Sequence, residues 1–161
     1  MRIFWTGVAL VAALAVQSAL SLVVPGWARI LDPFLLLVVY CGLKGGETHG
    51  MLAGAVAGWI QDIHFGGRVL GLAGLSKVLV GFGVGLAGTR FQLTEPGARV
   101  LVLLLAVLLD ALIMRQLAGA FDVSTGLLTL PALGLRAAVN AGVGVPLFAL
   151  VERRPWRWSR A

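Results

Sequence analysis

At 161 residues, 59% hydrophobic and only 12% charged, with a mean hydropathy of +0.95, the chain has no stretch between Ile3 and Leu150 long and polar enough for a soluble domain. It reads as an integral membrane protein whose charges fall mostly into short breaks between apolar segments. The net charge of +6 is then a matter of membrane orientation and requires no nucleic acid, while the single Cys41 excludes an internal disulfide and serves as a small packing residue.

Residues 3–24 carry no charge and are long enough to cross a hydrocarbon core of roughly 30 Å as a helix. They are too long and too uniformly apolar for a cleaved signal core, so a retained first span is expected. Segments 30–43 and 49–63 are short for untilted crossings. Two short spans or a re-entrant hairpin both fit, and a hairpin would need protein cover for its backbone; two spans are the simpler expectation. Segments 71–89, 98–118 and 128–150 complete an all-α bundle of six transmembrane helices in one membrane domain, 1–150, followed by a basic tail, 151–161.

With the N-terminus inside, the inner ends carry Arg2, Lys44, Arg90, Arg99, Arg153, Arg154, Arg157 and Arg160, and the outer loops only Arg29 and Arg68. This bias places both termini in the cytoplasm. Trp156 and Trp158 of the tail suit the headgroup region, beside arginines attracted to anionic lipid. His49 and His64 fall at opposite ends of the third span, too far apart to share a metal, and read as interfacial side chains.

Gly46, Gly50, Gly54 and Gly58 recur every four residues, and Gly81 and Gly85 repeat the interval in the next span. Such a stripe lets another helix approach closely, either within the bundle or from a partner. Counted from outer ends near Leu70, Ala118 and Leu127, Lys77, Asp110 and Arg136 lie seven, eight and nine residues in. At 1.5 Å per residue they are level, roughly 10 to 14 Å deep, and Asn140 shares a face with Arg136. One acid between two cations is expected to fix the register of the last three helices, with a headgroup site or proton relay as the functional alternative.

Phosphate loops, a hydrolase elbow, HExxH and paired carboxylates are absent from the sequence, so neither enzyme chemistry nor a metal or cofactor is expected. Residues 49–86, HGMLAGAVAGWIQDIHFGGRVLGLAGLSKVLVGFGVGL, resemble the core of the MreD family of bacterial rod shape-determining membrane proteins. The resemblance lies in Gly54, Gly58 and Asp62, a short outer loop containing Gly67, the Leu70-Gly71 pair with Leu75, and Val80-Gly81-Phe82. It implies a non-catalytic member of the elongasome in the bacterial cytoplasmic membrane. Its implied partners are MreC, RodA, a monofunctional penicillin-binding transpeptidase and, directly or indirectly, MreB. It also implies a fold similar to the substrate-binding subunit of energy-coupling-factor transporters, and it marks Asp62 with the outer loop as a helix cap or a partner contact.

Three functions are therefore open. A scaffold for wall synthesis fits the resemblance and the glycine stripes. A substrate-binding membrane subunit for a small solute or lipid-linked precursor fits the polar cluster. A membrane enzyme fits least, since one carboxylate supplies too little chemistry.

Overall fold

The computed structural model describes residues 2–65, 70–91, 95–121 and 130–153. They form α1 (Arg2–Val23), a single turn α2 (Pro25–Ala28), α3 (Pro33–His64), α4 (Leu72–Arg90), α5 (Pro96–Ala120) and α6 (Leu130–Arg153). Among them, five helical stretches are long and apolar enough to cross a membrane: Phe4–Val23, Pro25–His64, Leu72–Arg90, Gly97–Ala120 and Leu130–Glu152. The expected outer loop around Gly67 and the tail with Trp156 and Trp158 lie outside the described residues.

The second stretch is folded upon itself. Gly46 has φ 79° and ψ −174°, a left-handed conformation that side chains with a Cβ rarely adopt, and it breaks α3 into arms of residues 33–45 and 47–64. The arms run back side by side: the rings of Phe34 and Phe65 are 6.4 Å apart, and a Cβ on Gly50 would lie 3.0 Å from the Gly42 Cα. Gly46, expected as a member of the packing stripe, does lie against Gly85, and it is also the hinge of this hairpin, because a residue at positive φ cannot continue a helix. At 1.5 Å per residue the arms are about 20 Å and about 27 Å long. Both are shorter than the 30 Å reach of a typical untilted span.

The second arm packs antiparallel against α4, backbone against backbone. Gly58 meets Ala73 and Gly74, Gly54 meets the Lys77 carbonyl, Gly50 meets Gly81, and Gly85 meets Gly46 and Glu47. A methyl group added at Gly50, Gly54, Gly58, Gly81 or Gly85 would overlap the opposing main chain. The first arm presses on the same helix, where a Cβ on Gly42 would come within 3.1 Å of the Gly81 oxygen. Gly142, by contrast, has nothing within 4 Å of where a Cβ would stand.

Two apolar cores lie on either side of the hairpin. Leu10 and Ala13 of α1 pack on Phe34, Val38 and Ala57. Leu35, Leu36 and Val39 of the first arm pack with Val80 and Val84 of α4, Leu103 and Val107 of α5, and Ala137, Ala141 and Phe148 of α6. Outside these cores the helices show apolar side chains outward, as with Leu101, Leu105 and Leu112 of α5. In water such a surface would be costly; facing lipid it is at no disadvantage.

Alanine at Gly54 or Gly81 is expected to lower stability by about 1–3 kcal/mol through overpacking, whereas Gly142→Ala should be neutral or slightly stabilising. Thermal melts of the detergent-solubilised variants distinguish these outcomes, and equal behaviour at all three positions would remove the close-packing argument.

Candidate functional site

Four helical elements contribute to one buried ionic network. Lys77 projects from α4, Asp110 from α5 and Arg136 from α6, while Asp32 is the N-cap of α3, its Oδ1 accepting a hydrogen bond from the Leu35 N–H at 3.0 Å. Aspartate followed by proline, here Asp32-Pro33, is a strong helix start: the carboxylate accepts an otherwise unpaired N–H, and proline has none to lose.

The charges alternate around a closed ring. Lys77 Nζ lies 3.0 Å from Asp32 Oδ2 and 3.9 Å from Asp110 Oδ1. Arg136 Nη2 lies 3.0 Å from Asp110 Oδ2 and 3.3 Å from Asp32 Oδ2. Ser76, on α4 beside Lys77, donates its hydroxyl hydrogen to Asp110 Oδ1 at 2.7 Å. Two cations and two carboxylates leave the ring neutral, and Asp32, Lys77, Asp110, Ser76 and Asn140 are all buried, with Lys77 only 2% exposed.

Asn140 does a different job. Its Nδ2 donates to the Ile30 and Arg136 carbonyls, each at 2.7 Å, and its Oδ1 accepts from the Asp32 N–H at 3.0 Å. It supplies hydrogen bonds to the non-helical backbone ahead of α3, which in an apolar setting has no water to turn to.

The sequence-derived cluster Lys77, Asp110, Arg136 and Asn140 is brought together, with one correction. The expectation of a single acid is wrong: Asp32 is a second carboxylate, and it makes the shorter contact to Lys77. Ser76 was also missed. The helix-start signal at Asp32-Pro33 is visible in the sequence, but an acid at the start of a span reads as interfacial even where, as here, the segment is short.

Asp62 forms a second, separate polar site. Its Oδ2 accepts the N–H groups of Gly71 at 3.0 Å and Gly74 at 3.1 Å, and its Oδ1 accepts that of Ala73 at 3.2 Å. The N-cap of α4 is Gly71 itself, at φ 97°, which has no side chain to offer. A carboxylate from the preceding helix therefore satisfies three of the N–H groups at a helix start and sits at the positive end of its dipole. Gly67, expected beside it, is outside the described residues.

The ring is poor equipment for catalysis. Each carboxylate is engaged by both cations, and Ser76 spends its hydroxyl hydrogen on Asp110, which those cations already hold. Among the described residues no group of three His, Cys, Asp or Glu side chains is placed to hold a metal. Arg136 opens outward: its side chain is 22% exposed and lines, with Gly26, Arg29, Ile30, Ala132 and Leu135, a cavity of about 270 Å³.

Lipid-facing helices around an internally neutralised ionic core define a polytopic membrane protein. The profile of the family described as rod shape-determining protein MreD matches residues 2–153, nearly the whole chain. The chain belongs to the MreD family, whose role is in determining rod shape. No curated protein and no solved structure matches it.

Asp32→Ala should leave two buried cations sharing one carboxylate and cost about 3–5 kcal/mol. Combining it with Lys77→Met should recover much of the loss, with a larger coupling than for Asp110→Ala with Lys77→Met, in keeping with the shorter contact. A double-mutant cycle by thermal denaturation in detergent measures both couplings, and additive effects would sink the pairing.

Proposed function

We propose that this protein is a non-catalytic scaffold of the elongasome, supporting lateral peptidoglycan synthesis through MreC, RodA and a monofunctional penicillin-binding transpeptidase, with MreB linked directly or indirectly. The observation that carries this reading is the closure of the ionic ring: its charged groups are consumed by one another and hold α3, α4, α5 and α6 in place, so the polar core is structural. Membership of a shape-determining family supports the same conclusion.

The proposed topology has six crossings, the arms of α3 serving as two of them, with both termini in the cytoplasm and residues 151–161 as a cytoplasmic tail. The charge bias and the reversal at Gly46 support it. A second reading, a substrate-binding membrane subunit like that of energy-coupling-factor transporters, draws on the partial exposure of Arg136 in the cavity shared with Arg29.

Depletion of the protein should round the cells, and wild-type protein should co-purify with MreC from native membranes. Asp110→Asn, which keeps the hydrogen-bonding shape, should retain both properties in proportion to its folded yield. A well-folded Asp110→Asn protein that binds MreC yet fails to support elongation would favour the substrate-binding reading. Cysteines placed at Trp27, Gly67 and Asp122 in a Cys41→Ser background should react with an impermeant reagent outside the cell, and those placed after Leu150 should not; the reverse pattern would overturn the orientation.

A further inference from the structure

The end of the bundle away from the ionic ring holds an unbalanced charge. A cavity of about 340 Å³ opens there between the end of the first arm of α3, the last turn of α4, and the facing turns of α5 and α6. Lys44, Arg90, Arg99 and Glu152 line it, with Tyr40 and Phe148 in ring contact at 5.2 Å. Glu152 is shared: one oxygen lies 2.8 Å from Lys44 Nζ and the other 2.9 Å from Arg99 Nη2. Arg90 makes no ion pair among the described residues, so three cations face one carboxylate and two positive charges remain unmatched.

Unlike the ring, where every charge is matched, this cavity is short of an anion. Its donors are also underused, since an ammonium offers three N–H groups and a guanidinium five. The rim is apolar: Leu86 and Phe91 on one side and Leu147 and Val151 on the other are exposed within a turn of lining residues. A ligand that satisfies both features has a compact anionic head and a hydrocarbon body.

We propose that this cavity binds the phosphate of an anionic membrane lipid, with Arg90, Lys44 and Arg99 donating to the phosphate oxygens, the Tyr40 hydroxyl beside them, and the acyl chains lying along the apolar rim. Arginine suits phosphate through paired, charge-assisted hydrogen bonds. The site joins the ends of α3, α4, α5 and α6, so occupancy should stabilise the bundle.

The test uses the full chain in phosphatidylcholine nanodiscs, with phosphatidylglycerol added stepwise and thermal stability and retained lipid measured, the latter by native mass spectrometry. Wild-type protein should show a saturable stabilisation and retain phosphatidylglycerol selectively. Arg90→Gln, at an exposed position with no ion pair among the described residues, should weaken the response about tenfold. Arg90→Gln with Lys44→Gln should abolish it. Arg157→Gln removes an equal charge from the sequence after α6 and should respond like wild type. Inorganic phosphate alone should have little effect; if it reproduces the stabilisation while the lipid adds nothing, the lipid assignment is overturned. An equal response from all variants, or none from wild type, overturns the site altogether.

Discussion

A charge cannot be left unmatched in hydrocarbon, and this constraint governs the centre of the molecule. Lys77 and Arg136 each touch both Asp32 and Asp110, so neither cation depends on a single partner and the four charges cancel locally. The net stabilisation from such a ring is modest, because desolvation offsets most of the attraction. Its influence is on which arrangement is permitted: any packing of α4, α5 and α6 that separated the four side chains would strand a charge, and that arrangement would be severely disfavoured.

The short first arm of α3 follows from the same arrangement. Because it begins at Pro33, level with the ring, the chain reaches it through the non-helical stretch around Ile30 to Asp32. Asn140 makes this tolerable by acting as an extra peptide group, donating to Ile30 and accepting from Asp32. Irregular backbone inside the bundle is thus closed off by one amide, and the buried carboxylate at the start of the arm becomes the second acid of the ring. At Gly71 the problem recurs at another helix start, and Asp62 solves it from a neighbouring helix.

Much of this was legible in the sequence. Hydropathy alone located the apolar stretches, and counting residues from their outer ends aligned Lys77, Asp110 and Arg136, because helical rise is uniform. The four-residue glycine spacing marked a close helix contact for the same reason. Asp32 escaped because counting assumes that every span starts at the membrane surface, and a 33–45 arm starts deeper. Ser76 escaped because a serine within a span has many possible neighbours and no charge to demand one. Gly46 is a member of the stripe, facing Gly85, but spacing carries no record of φ; only the geometry shows that the repeat begins where the helix has just turned.

The glycine contact between the second arm of α3 and α4 has a less obvious property: it is nearly degenerate. Gly46, Gly50, Gly54 and Gly58 recur every four positions on one side and Gly81 and Gly85 on the other, so sliding one helix past the other by four residues, about 6 Å, would again set glycine against glycine over part of the contact. Dispersion forces between such smooth surfaces distinguish poorly between neighbouring alignments. What discriminates is aperiodic and sits toward one end: Asp62 with its three N–H groups on α4, and Lys77 held to Asp32. The interface behaves as a ruler with identical divisions, and these few polar contacts supply its zero mark.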